Sequence, residues 1–590
     1  MRRERMRGLG LLGLGLLGYL LLAVFMLSHT WFGGSLGDRL VGGGGDPQGF
    51  VWFLAWLPHA VAHGDSPLFT TILMAPRGAN LLGSTSIFLP AFLLWPVTAI
   101  AGPVVSYDVL ATLGLALSAF TASLAMRRIT AHRSSAWIGG AIYGFGGYMT
   151  GQAAAHANLL IAIFPPLAAM LLDDVRKTDR PMRAGALLGL CAAAQVFVNE
   201  EILATTVIMA LTALVFIAWL WRPSRALVRR YIRACATACA VFAILAGPAL
   251  LYELFGPEHV HGVIVSSGRY VNDLAGFFVP NSLDRFSTAG ARQLTGGFSG
   301  YDGEFGSYLG VPLLALLVFA GWRLRRRALL LWLLLLAAAV FSLGPHLHVL
   351  GHDTGVLMPW VLPNHLPLLE NAIPSRFNLF IWLAAAALVV LLIDDLRGRP
   401  LLGSRALGIA VCAIALISVA PTLTSSELVR VPALLESAAA LRRFAPQAKT
   451  VLIVPSTNGQ QGMYAQARSD FAYRIPDGGV FVPNRDGASY GMRHGPLLYA
   501  LATLGHHAST HAGRTRMDTV CLPQLAIDPM PAGSCKDHYL RALRALRIDA
   551  AVVSEWGSRS VAGRYVAFFT ALLGSPQAAA NAKVFIVTRP

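Results

Sequence analysis

The first outer segment of this sequence concentrates its candidate chemistry around one carboxylate, Asp46. It opens Asp46-Pro47-Gln48, after the glycines 42–45 and before an apolar stretch from Phe50 towards Ala62. Proline is favoured in the first turn of a helix, so the stretch reads as a helix with Asp46 at its start, beside the positive end of the helix dipole. A carboxylate there caps the helix, and it can also take a proton from a nearby hydroxyl; the two roles are compatible. Trp52, Phe53, Trp56 and Leu57 suit this helix to the bilayer interface, with its aromatics at headgroup depth. Asp38, in Gly37-Asp38-Arg39, is a second carboxylate of the same segment. Generic catalytic motifs are otherwise missing, with no CxxC pair, Walker loop or HExxH element. Gly33-Gly34-Ser35-Leu36-Gly37 matches GxSxG by letter, but it follows an apolar span and not the strand that a nucleophile elbow needs.

The elements that must position these groups follow from composition. The chain has 590 residues, 55% hydrophobic and 13% charged, where a soluble protein carries about 25% charged residues. The mean hydropathy is +0.58. So few charges cannot cover a soluble surface, and the fold class expected is a polytopic α-helical membrane protein. Apolar stretches centred on 8–28, 104–126, 136–150, 156–172, 184–198, 202–221, 234–252, 306–322, 328–344, 377–393 and 406–421 read as about eleven spans. The first reads as a retained signal-anchor.

The formal charge of +17 sorts by position. Six short basic segments, such as Arg2–Arg7, Arg222–Arg233 and Arg323–Arg327, hold 23 of the 47 Lys and Arg residues. The alternate connections hold only six basic residues but fourteen acids. The positive-inside rule then puts the N-terminus and the basic segments in the cytoplasm and the acidic loops outside. The charge is a topology signal with membrane lipid as neighbour, and no nucleic-acid footprint. Counting residues 85–101 as a span would invert every later segment. With Pro90, Pro96 and Pro103 nearby, they read as re-entrant or interface-lying. Localisation is accordingly a multi-pass cell (inner or plasma) membrane protein with its C-terminal part extracytoplasmic.

Composition changes near residue 422. Thr450–Val454, Ala550–Val553 and Val584–Val587 are short β-rich runs, and helical patterns fall near 432–445, 496–505, 536–547 and 563–574. The expected domains are a bundle over 1–421, with its first outer loop at 29–103, and an extracytoplasmic α/β domain over 422–590. Cys521 and Cys535 are disulfide candidates in an oxidising compartment. Cys191, Cys235, Cys239 and Cys412 lie in spans and read as small apolar packing residues.

An acidic first outer loop with an Asp, an interface helix, a multispan bundle with short cytoplasmic loops and an outer C-terminal domain together resemble the GT-C superfamily. Locally, Gly45-Asp46, Trp52-Phe53-Leu54-Ala55-Trp56, His59-Ala60 and Pro76-Arg77-Gly78-Ala79-Asn80-Leu81 look like bacterial members of that group. Ile373-Pro374-Ser375-Arg376-Phe377 and Met463-Tyr464-Ala465-Gln466 are similar to the same group. The resemblance implies an integral-membrane glycosyltransferase with a polyprenyl-phosphate sugar as donor and a glycan, lipid or protein as acceptor. It implies that the first-loop Asp is the base toward the acceptor hydroxyl, which here is Asp46, with Asp38 second. The loop has no Asp-Asp or Asp-Glu pair, so a divalent metal is possible but not implied.

Such a transfer, expected to invert the transferred hexosyl or pentosyl group, also needs groups that stabilise a departing phosphate. Arg376 at the outer mouth of a span is favoured, because arginine binds phosphate bidentately, and Arg77 and Arg269 are further outer-loop cations. A snorkelling anchor is the other reading of Arg376. His156, Asn199, Glu200 and Glu201 lie where spans meet the outer side, and with Asp46 could form a metal or sugar-hydroxyl site. An exposed polar turn serves Glu200 and Glu201 equally well. His346, His348, His352 and Asp353 lack zinc-like spacing and read as a solvated loop. Asp173-Asp174 and Asp394-Asp395 sit beside basic segments as charge-balanced turns. Two functions compete with the enzyme: a transporter or flippase, against which no internal repeat is visible, and a non-catalytic glycan-assembly scaffold.

Overall fold

The computed structural model describes residues 2–43, 46–84, 87–365 and 369–397, scattered positions between 407 and 427, and then 431–455, 459–484, 487–493, 496–505, 534–554, 559–579 and 581–587. The chain divides into two compact units. The first comprises 1–43, 107–248 and 265–426, and the second comprises 44–106, 249–264 and 427–590. The second unit thus joins most of the first outer segment to the C-terminal region, a grouping that the division at 421/422 does not contain.

The first unit is helical. Among the described residues, five helices of the chain are long and apolar enough to cross a membrane: Trp95–Met126, Ala157–Lys177, Glu200–Trp221, Arg225–Phe255 and Pro374–Arg397. Gly10–Met26 and Leu329–Ser342 are shorter apolar helices. The stretch 136–150 is two pieces, Arg133–Gly144 and Gly147–Ala153. The expected span 406–421 lies largely outside the described residues.

Asn378–Arg397 is apolar nearly all round, and it is buried nearly all round, as expected for a helix at the centre of a bundle. Small residues set how closely its neighbours approach. A Cβ on Gly140 would sit 2.5 Å from the Ala119 carbonyl oxygen, and one on Gly144 would collide with the same alanine. Gly185 and Gly189 meet Ala234 and Ala238 in the same way. Both pairs are G-x-x-x-G spacings, which place two bare positions on one helix face.

Residues 87–101 form no single span. The six-residue helix Phe88–Leu93 is followed by Trp95–Met126, whose regular course is broken at Gly102, with φ 84° and ψ 165°. Each piece before that break is far shorter than the roughly 20 residues needed to cross.

In the second unit a four-stranded sheet runs in the order Gln577–Ala579, Ala582–Ile586, Ala550–Ser554, Val451–Val454. Ala550–Ser554 pairs parallel with Val451–Val454 and antiparallel with Ala582–Ile586, with Ala550 opposite both Val451 and Ile586. The edge strand Val451–Val454 and its neighbour Ala550–Ser554 are buried along their length. Tyr539, Tyr565, Phe568 and Phe569, from Ser534–Ala545 and Arg559–Leu573, fill the core with them. Three of these strands fall on the apolar runs singled out in the sequence.

The helix Asp46–His63 packs on Gln460–Arg468 within this unit. Its aromatics are protein core and not an interface belt. Trp52, Phe53 and Trp56 are buried, Trp52 and Trp56 stack at 5.2 Å, and Phe471 meets both edge-on. The Trp52 indole N–H donates to Gln466 Oε1 at 2.7 Å, and Gln466 Nε2 donates to the Tyr473 carbonyl at 2.6 Å. A buried indole needs such an acceptor, and the interface reading of this helix is corrected accordingly.

Candidate functional site

In the first unit the polar groups converge on Arg376, in the short helical turn Pro374–Phe377 that leads into the central helix. Its guanidinium is buried. Nη1 donates to Glu304 Oε2 at 2.6 Å and to Gln152 Oε1 at 3.0 Å, and Nε donates to Glu201 Oε2 at 3.1 Å. Ser375 Oγ donates to the same Glu304 oxygen at 3.1 Å. His156 Nδ1 lies 2.8 Å from Gln152 Oε1, and the Tyr301 hydroxyl lies 2.9 Å from His156 Nε2. One buried cation is therefore matched by two carboxylates, which differ in solvent access: the Glu304 side chain is 2% exposed and that of Glu201 29%. Burying a charge is costly unless it is paired and hydrogen-bonded, and this network meets that condition.

The second unit holds Asp46 in a different way. Asp46 begins its helix, and its Oδ1 accepts from Gln460 Nε2. The same nitrogen donates to the Tyr490 hydroxyl at 2.7 Å. Gln460 is buried, so this carboxylate is anchored by a neutral amide. Gly479 keeps the space open, since a Cβ there would lie 2.6 Å from Gln460 Cγ and 3.2 Å from the Tyr490 oxygen.

Arg77, also in the second unit, pairs with Glu258 at 3.0 Å, and Arg493 meets the other Glu258 oxygen at 2.6 Å. Burial lowers the Arg493 pKa, and the Glu258 charge opposes that shift.

Comparison with solved structures bears on the whole chain. The mycobacterial arabinofuranosyltransferase AftD, solved by single-particle cryo-EM, is similar with a TM-score of 0.52 at 15% identity, covering 98% of this chain and 40% of AftD. The chain has the GT-C fold. It spans well under half of AftD's length. The archaeal oligosaccharyltransferase AglB from Archaeoglobus fulgidus, in complex with an inhibitory peptide and a dolichol-phosphate, gives a TM-score of 0.48 at 12% identity, over 95% of this chain and 71% of AglB. No protein-family profile matches the chain, and a sequence search of curated proteins finds no match.

The residues singled out from sequence are divided between the two units. Arg376, Glu201 and His156 come together in one network. Arg269 is exposed and lies over the Tyr270 ring at 5.4 Å, and that ring packs edge-on against Tyr301. Asn199 caps the helix Glu200–Trp221, its side chain accepting from the Ile202 amide at 2.9 Å. Glu200 is exposed in that helix's first turn, and Asp38 is exposed in a turn closed by its own amide donating to the Ser35 carbonyl.

Cys535 is buried in the first turn of Ser534–Ala545, and Cys521 lies outside the described residues. His346 and Asp353 pair at 3.1 Å across an exposed hairpin. Among the described residues no group of three or more His, Cys, Asp or Glu side chains gathers as metal ligands would. Sequence reading passed over Glu304, Gln152, Tyr301, Gln460 and Tyr490. For Glu304 the signal was its place in Asp302-Gly303-Glu304, an acidic turn between two apolar stretches.

Proposed function

We propose that the chain is a membrane glycosyltransferase that moves a sugar from a polyprenyl-phosphate donor to an acceptor hydroxyl on the outer face of the membrane. The observation that carries this reading is the GT-C fold together with a carboxylate, Asp46, fixed at a helix start by a buried amide. Asp46 takes the acceptor proton, and the acceptor oxygen attacks the anomeric carbon. The bond from that carbon to the phosphate oxygen breaks with inversion, and the polyprenyl phosphate leaves carrying the electron pair.

Arg376 is proposed to meet the departing phosphate. Its guanidinium is already paired, so a phosphate oxygen takes the place of the more exposed partner, Glu201, while Glu304 keeps its bond. Arg269 and His156 border this network and complete the donor side; Arg77, held by Glu258, and Glu200 are secondary contacts. About eleven spans, a cytoplasmic N-terminus and an extracytoplasmic region 422–590 with a Cys521–Cys535 disulfide belong to the same proposal. Alkylation before and after reduction tests the disulfide: both thiols react only after reductant, and free thiols in protein from an oxidising compartment would remove it.

Assay of the purified chain against a panel of polyprenyl-phosphate sugars tests the function. Release of polyprenyl phosphate coupled to acceptor glycosylation is the expected result. Substrate movement across the bilayer without any glycosidic product would favour a transporter instead.

A further inference from the structure

The second unit contains a cleft of about 730 Å³ that the proposed reaction does not use. Its volume falls in the range of about 300–1,000 Å³ typical of small-molecule sites. One wall comes from the C-terminal half of the helix Asp46–His63 and the loop after it, and the other from residues 438–449 and 471–474. Three cations line it: Arg442 in the last turn of Ala438–Phe444, Lys449, and Arg474.

Backbone pairing fixes the last two side by side. The Arg474 amide donates to the Lys449 carbonyl, and the Val451 amide donates to the Arg474 carbonyl, each at 2.8 Å. All three side chains are exposed, and no ion pair joins any of them to a carboxylate among the described residues.

The carboxylates close by do not cancel this charge. Asp549 Oδ2 accepts from the Lys449 and Thr450 amides at 2.9 Å, and Asp470 faces His59 at 3.1 Å. Asp65 alone stands on the wall against three cations. A concave surface lined by one sign of charge focuses its potential and attracts the opposite sign. Gln447, Ser66 and Thr71 add neutral donors and acceptors, and Trp56 and Phe471 give the cleft an apolar floor. Cations, amide and hydroxyl groups over an aromatic floor suit a polyhydroxylated anion better than a bare inorganic one. The cleft is also remote from the proposed base: Trp56, its nearest residue on that helix, is ten residues beyond Asp46, roughly 15 Å along the helix at 1.5 Å per residue.

We propose that this cleft binds an anionic oligosaccharide, such as a uronic-acid segment, and anchors it away from the reacting hydroxyl. Assigning that segment to the acceptor rests on the glycosyl-transfer reading; the binding itself does not.

The full chain in neutral detergent is titrated with tetragalacturonate and with neutral tetragalactose, and heat and tryptophan fluorescence are followed. Only the acidic oligomer binds, and raising salt weakens it as Debye screening shortens. The triple variant Arg442→Glu/Lys449→Glu/Arg474→Glu weakens binding about tenfold or more, because charge-assisted bonds are lost. Arg442→Lys/Arg474→Lys, which keeps the charges, stays within a few-fold of the parent and shows that the surface tolerates change.

Equal binding of the neutral oligomer, no binding at all, or an unchanged triple variant overturns the proposal. Displacement by inorganic phosphate at the same concentration overturns its carbohydrate part and leaves a simple anion site. Binding in a chain without transfer activity sinks only the glycosyltransferase reading. Transfer activity without binding sinks only the cleft.

Discussion

Around Arg376 one guanidinium is held by Glu304, Glu201 and Gln152, whereas Asp46 is held by the neutral Gln460 amide. The two arrangements answer different physical demands. A buried cation has to be compensated where it lies, so its partners are charged and close, and removing one leaves a charge stranded. A carboxylate at a helix start is already favoured by the dipole, and the Gln460 amide helps to fix its direction. The first region is therefore built to keep its charges, and the role proposed for the second is to aim a carboxylate at an acceptor hydroxyl.

The sharpest way to break this contrast is to strand the charge. Glu304→Ala removes the fully buried partner of Arg376, and the expected loss of stability is about 3–5 kcal/mol, read as a fall in thermal midpoint in detergent. Glu201→Ala removes the more exposed partner and should cost clearly less. Equal losses would mean that burial does not govern the network.

A carboxylate of the first unit, Asp284, sharpens the point because no cation pairs with it among the described residues. Burial raises the pKa of Asp284 to about 7, with the Asp302 charge adding to the shift and the Asn281 amide opposing it. The folded state then holds this proton more tightly than the unfolded one. Its contribution to stability is full below the unfolded value near 4 and is lost as pH rises through about 7. Asp284→Asn should therefore stabilise the protein by about 4 kcal/mol at most at pH 8 and add little at pH 4. A pH-independent effect would exclude this titration as the cause.

The smallest effect is expected at the amide. Gln460→Ala removes an amide that directs Asp46, so on the proposed mechanism turnover should fall about tenfold, or roughly 1.4 kcal/mol, with donor affinity unchanged. Gly479→Ala, which crowds Gln460, should shift turnover in the same direction. A change confined to donor affinity would place Gln460 on the wrong side of the reaction.

How much of this was legible follows the same division. Runs such as Asn378–Arg397 and Val451–Val454 announce themselves by composition, because burial on every side demands apolar residues throughout. The G-x-x-x-G pairs 140/144 and 185/189 were passed over, and which partner they face comes only from the structure.

The Asp46 helix was legible in extent but misplaced. Trp and Phe suit a lipid interface and a protein core equally, and the acceptor that decides for the core, Gln466, stands 414 positions away from Trp52. Glu304 and Gln460 were hidden for the same reason: a partner's identity depends on contacts across more than seventy residues of chain. Arg376 and Glu201 could each be picked out from the sequence, but their pairing and the Glu304 partner could not.

Asp46→Asn is the decisive substitution for the proposal that Asp46 accepts the proton. The substitution keeps size and a capping oxygen, so the helix start and donor binding should survive. Donor affinity and single-turnover rate measured on one purified preparation should show near-parental binding and a rate lowered by about 10²–10⁴-fold. A parental rate in that preparation would contradict the claim and move the base first to Asp38 and then to Glu200 or Glu201.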